Sequence, residues 1–191
     1  MGGGRHEAST RQAGARRSRC RRPCDRNRNG RSGRWGKSIR EQLTGYQEVP
    51  ALSTPGKGQF RASINRGSSE ISYRLTYSGL ETPATQSHIH FENKTNNGPI
   101  VVFLCSNLGN GPPGTQACPA SGGTISGTIR PADVGAGAAA QGLAAGEFDE
   151  LVRAIRAGAT YVNVHSVGRP GGEIRAQLVH NKHGGDQGDH H

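Results

Sequence analysis

Between Lys57 and Ser78 the chain alternates apolar and polar residues. In KGQFRASIN, Phe60, Ala62 and Ile64 fall on one side and Arg61, Ser63 and Asn65 on the other. EISYRLTYS repeats this with Ile71, Tyr73, Leu75 and Tyr77 against Ser72, Arg74 and Thr76. Successive side chains of an extended strand point to opposite faces. A period of two over this length therefore specifies half-buried β-strand and argues against a helix, whose apolar positions recur every three to four residues. Arg66-Gly67-Ser68-Ser69, between the two runs, reads as the turn of an antiparallel hairpin.

Short runs of the same kind fill most of the remaining chain. EQLTGYQEV predicts a first strand ended by Val49-Pro50, and QSHIHF, PIVVFL (99–104), GGTISGTI (122–129), ATYVNVHS and GEIRAQLV predict five more. PIVVFL, apolar throughout, suits a strand buried on both faces. Eight short strands punctuated by turn residues predict an all-β sandwich or barrel. The 30 glycines, 10 prolines and only 31% apolar residues agree with a loop-rich β domain and not a helical bundle. One segment departs from period two. GEFDELVRAIRAG spaces Phe148, Leu151, Val152 and Ile155 as one face of an amphipathic helix, with acids in the first turn and Gly158 as its stop. That helix is expected to lie as a lid on the sandwich, and the preceding VGAGAAAQGLAAG reads as a flexible small-residue linker.

The net charge of +10 is confined to one end. Residues 1–40 hold 13 Lys/Arg against Glu7 and Asp25, leaving 11 basic and 12 acidic groups in the other 151 residues. Those first 40 residues have too little apolar surface to offset their ordering entropy and are expected to be a disordered tail. Arginines without interleaved aromatics on a folded face do not make a nucleic-acid module, so nucleic acid is set aside as a partner. The domain is placed at 41–179, followed by a disordered His/Asp-rich tail at 180–191. No run is long and apolar enough to span a membrane, and the chain as given carries no secretory signal.

The four cysteines form two pairs. CRRPC, with Cys20 and Cys24, lacks the second pair that a zinc ribbon needs. Cys105 and Cys118 bracket a Gly/Pro-rich loop. They are either joined by a disulfide, which would contribute about 3 kcal/mol by closing that ring, or are two separate buried thiols.

Outside the tails the chain has three histidines, His88, His90 and His165. In QSHIHF, His88 and His90 share one face while Ile89 and Phe91 take the other. ATYVNVHS has the same parity, with Val162 and Val164 on the core side and Tyr161, Asn163 and His165 opposite. If the two strands are neighbours, the three imidazoles converge either on a zinc or copper ion or into a polar network with Asn163 and Glu173. Asn163 and Glu173 would then orient the imidazoles from behind, although Glu173 is equally able to pair with Arg175. No G-x-S-x-G elbow, phosphate-binding loop or dinucleotide fingerprint is present, which removes the common hydrolase, kinase and dehydrogenase classes.

LTGYQEVPALSTPGKGQF, ISYRLTYSGL, HIHF, NGPIVVFLC, GGTISGTI and YVNVHSVGRPGGEIRAQL occur in one order, from about Leu43 to Leu178. In that arrangement the chain resembles the CHRD domain, named from chordin and found in many bacterial proteins. The resemblance implies an immunoglobulin-like, antiparallel Greek-key β-sandwich. It also implies a secreted or periplasmic setting and a non-catalytic binding or structural module for a protein or small ligand. A weaker, fold-level likeness to copper/zinc superoxide dismutases rests on HIH plus a later strand histidine and implies, as the alternative, a copper- or zinc-dependent redox protein.

Overall fold

The computed structural model describes residues 38–65 and 70–179, together with Met1. The arginine-rich segment before Ser38, the Cys20/Cys24 pair, the turn at 66–69 and the His/Asp-rich end lie outside the described residues. The strands are β1 (Ser38–Thr44), β2 (Lys57–Ile64), β3 (Ile71–Ser78), β4 (Ala84–Phe91), β5 (Ile100–Ser106), β6 (Gly123–Ile129), β7 (Thr160–Ser166) and β8 (Arg169–Gln177). One α-helix, α1 (Phe148–Ala157), lies between β6 and β7.

The alternation seen in the sequence becomes a buried face. Along β3 buried and exposed residues alternate without a break. The β2–β3 register sets Phe60 opposite Leu75, Ala62 opposite Tyr73 and Ile64 opposite Ile71, so every inward residue meets another across the ladder. All strand pairs are antiparallel, in the order β5-β4-β7-β8-β1-β2-β3-β6. The β8–β1 joint is a single pair, Thr44 with Arg175. At the open ends β5 and β6 touch, and the Tyr73 hydroxyl donates to the Leu104 carbonyl at 3.2 Å. The result is a nearly closed, barrel-like sheet. It is one hydrogen-bonded order of eight strands with a weak joint between its two halves.

Three local expectations are corrected. The first strand ends at Thr44, not at Val49-Pro50, because the Gly45 carbonyl accepts the N–H groups of both Glu48 and Leu52 and folds the chain back. PIVVFL is not buried throughout: Ile100 and Phe103 are half-buried because β5 is an edge strand. The small-residue stretch before the helix is no loose linker. Ala136–Gln141 forms a 3-10 helix, and Val134, Ala138 and Leu143 are buried in the core. Small side chains let this backbone lie directly on β5, where Gly135 N–H donates to the Val101 carbonyl at 2.9 Å.

The helix lies where its periodicity puts it, with Phe148, Leu151, Val152 and Ile155 all buried in the core. It stops at Gly158, whose left-handed φ of 71° suits a residue without a Cβ. Cys105 and Cys118 form a disulfide with Cα atoms 5.1 Å apart. The Asn107 side chain ties the same loop to the Ala84 and Cys118 carbonyls. Among the described residues no helix is long and apolar enough to cross a membrane.

Candidate metal centre

β4 and β7 are neighbours, with Gln86 opposite His165, His88 opposite Asn163 and His90 opposite Tyr161. Ile89, Val162 and Val164 enter the apolar core, as their parity requires. The imidazoles take the other face, yet this face is covered. His88 is 0% exposed, and His90 and His165 are each 6% exposed. Phe103 meets His88 edge-on with ring centroids 4.5 Å apart, and Gly98, on the connection between β4 and β5, lies against His90.

One nitrogen from each of the three rings falls within 4.8 Å of the others. Backbone carbonyls set two of the tautomers. His90 Nδ1 is 2.8 Å from the Gly98 carbonyl and His165 Nδ1 is 2.9 Å from the Pro170 carbonyl. A carbonyl only accepts, so each Nδ1 carries the proton and each Nε2 presents a bare lone pair. His88 Nδ1 lies 3.2 Å from His165 Nε2. The Nε2 atoms of His88 and His90 are buried without a hydrogen-bond partner. Orphaned polar atoms of this kind are costly to bury.

The cluster is also uncharged. Burial, reinforced by His165 and His90, pushes the His88 imidazole down to about 2. Burial pushes His90 down to about 4 against the opposing pull of the Gly98 carbonyl, and lowers His165 against that of Pro170. All three are neutral at neutral pH, the form in which imidazole ligates metals.

Of the two residues expected behind the imidazoles, Asn163 lies in the cluster, opposite His88, with its Oδ1 buried and unpartnered. Glu173 does not serve an imidazole, nor is it within ion-pair distance of Arg175. Its carboxylate accepts from Thr54 Oγ1 at 2.7 Å, from the Glu81 N–H at 2.8 Å and from Ser166 Oγ. A register shift between Val164 and Ser166 breaks the period-two count that had placed Glu173 on the imidazole face.

Three further groups complete this layer. Tyr161 stacks flat on His90, with centroids 4.6 Å apart and planes 2° apart, and Arg175 covers Tyr161 with its guanidinium carbon 3.4 Å from the ring centroid. Glu48 is buried, has one unpartnered oxygen, and is pushed up to about 7 by burial against the pull of Arg175. The sequence carried a signal for each. Tyr161 shares His165's parity, Arg175 alternates with Ile174 and Ala176 on the polar face of its strand, and Glu48 sits directly before Val49-Pro50.

Fold and site together define an antiparallel β-barrel-like domain with a buried cluster of three neutral histidines on the sheet face opposite its apolar core. The chain belongs to the CHRD domain family, whose profile matches residues 39–178, well over half of its length. Neither the curated proteins nor the solved structures contain a match to it.

Proposed function

We propose that this CHRD domain is a non-catalytic binding or structural module in which His88, His90 and His165 hold a zinc or copper ion. The observation that carries the reading is the pair of buried, unpartnered Nε2 atoms within a trio of neutral imidazoles. The widest separation, up to 4.8 Å, means that a bound ion draws the rings together. Imidazole donors suit zinc and copper. Near-complete burial favours an ion that stabilises the fold over one that exchanges substrates. In this reading Asn163, which faces His88 across the β4–β7 ladder, orients the imidazoles from behind.

The finer fold reading, a Greek-key sandwich of two four-stranded halves, is supported by the single β8–β1 pair and by a crossed order in which β6 returns to β3 and β7 to β4. A secreted or periplasmic setting is supported by family membership and by the Cys105–Cys118 bridge, a bond that persists in oxidising compartments. Metal content of the tag-free full chain tests the central point. One zinc or copper per chain in the wild type, lost in the His88→Ala/His90→Ala double variant, is expected. Equal content in both proteins rejects the site.

A further inference from the structure

Arg175 is 1% exposed, and among the described residues no carboxylate lies within ion-pair distance of it. Its hydrogen bonds all go to one short segment. Nη1 donates to Asn97 Oδ1 at 3.1 Å, and Nη2 donates to the Asn93 and Asn96 carbonyls at 3.1 and 3.0 Å. A planar guanidinium with five donors serves several acceptors at once, which a lysine ammonium does with difficulty. The segment runs straight into Gly98, whose carbonyl accepts the His90 Nδ1 proton.

Gly98 is held from a second side as well. Its N–H donates to the Tyr161 hydroxyl at 3.2 Å, and the same Tyr161 ring lies between Arg175 and His90. A Cβ on Gly98 would overlap the Phe91 carbonyl and Glu92 Cβ, so the segment passes too close to β4 for any side chain at that point. One buried arginine thus spans three backbone or side-chain acceptors just ahead of the single carbonyl that selects His90's tautomer.

We propose that Arg175 is a positioning residue that clamps the 93–98 connection so that the Gly98 carbonyl keeps the His90 proton on Nδ1 and its Nε2 lone pair turned toward His88 and His165. This deepens the metal-site reading and rests on it for its purpose, but the tautomer is a property of the metal-free protein. Groups that orient a ligand from behind typically change metal affinity by about 10–100-fold.

The test uses the full, metal-free, 15N-labelled chain and long-range imidazole spectra, followed by titration with Zn(II). The wild type is expected to show a single His90 tautomer protonated on Nδ1. Arg175→Met is expected to lose that single tautomer and to bind Zn(II) about 10–100-fold more weakly, and Arg175→Lys to recover part of both. Tyr161→Phe, which keeps Arg175 and removes only the hydroxyl facing Gly98, is expected to shift the same signals in the same direction. It carries the test if Arg175→Met does not fold. A wild-type His90 tautomer in Arg175→Met, or in Tyr161→Phe where that variant carries the test, overturns the clamp. If the wild type binds no Zn(II) while the Arg175 and Tyr161 variants still change the tautomer, the clamp stands and the metal reading falls.

Discussion

His88 Nδ1 and His165 Nε2 lie 3.2 Å apart, although 77 residues separate them in the chain. The contact exists because β4 and β7 pair in a register that places Gln86 beside His165 and His88 beside Asn163. With His165 Nδ1 committed to the Pro170 carbonyl, His88 donates to His165 in the metal-free protein and its own Nε2 is left bare. An ion that takes these lone pairs binds only the folded chain. A ligand present at 100 times its dissociation constant then stabilises the fold by about 2.7 kcal/mol. Zinc or copper is expected to raise the melting temperature of the wild type and to leave that of His88→Ala/His90→Ala unchanged. Thermal denaturation with and without the ion checks this.

The pH dependence of the metal-free protein has two opposing parts. His88 and His90 fall from 6.5 to about 2 and about 4 in the fold, so the unfolded chain binds more protons below pH 6.5. Their contribution is present above 6.5 and is lost as pH falls through 4 and toward 2. Glu48 rises from 4.5 to about 7, so its contribution is present below 4.5 and is lost as pH rises through 7. Burial also raises Glu41, in the same sense as Glu48; the three lowered imidazoles outweigh these two carboxyls, and urea denaturation is expected to show the wild type less stable at pH 4.5 than at 6.5. Glu48→Gln is expected to be nearly neutral at pH 4.5 and stabilising at pH 8, the difference approaching about 3 kcal/mol. An effect of this variant that does not vary with pH would contradict the assignment.

Removing the bridge by replacing Cys105 and Cys118 with serine is expected to lower stability by about 3 kcal/mol, the cost of opening a ring of this size. Chemical denaturation in the absence of reductant measures it. Metal affinity is expected to change much less than stability, because the bridge meets β4 at Ser87 and not at an imidazole.

Gly98→Ala introduces a Cβ where the Phe91 carbonyl and Glu92 Cβ already stand. Overpacking against backbone typically costs about 1–3 kcal/mol. Relief by moving the 93–98 connection also withdraws the carbonyl from His90. Lower stability together with weaker metal binding is the expected pair of results, read by thermal denaturation and Zn(II) titration.

The eight strands, the helix and the convergence of the imidazoles were legible because each depends on periodicity. Phe60 to Tyr77 alternate by two, Phe148 to Ile155 by three and four, and His88, His90 and His165 share one parity. What periodicity does not encode was missed. The bulge between Val164 and Ser166 moved Glu173 away from the imidazoles, and Gly45 ended the first strand early through two backbone hydrogen bonds. Alanines and glycines that looked like a linker are small because they lie against β5. Tyr161 and Arg175 lie on the polar side of their strands by the same alternation, but the placement of the 93–98 segment over the imidazoles and its contacts with Arg175 are long-range and leave no local pattern.

The most direct measurement is anomalous diffraction at the zinc or copper edge from crystals of the full chain grown with one equivalent of the ion. The account predicts a single strong peak among the rings of His88, His90 and His165, within bonding distance, about 2.0–2.1 Å, of one nitrogen from each. A peak only elsewhere, for instance at the His/Asp-rich end of the chain, or no peak among these rings at full occupancy of the crystal by protein, would contradict it.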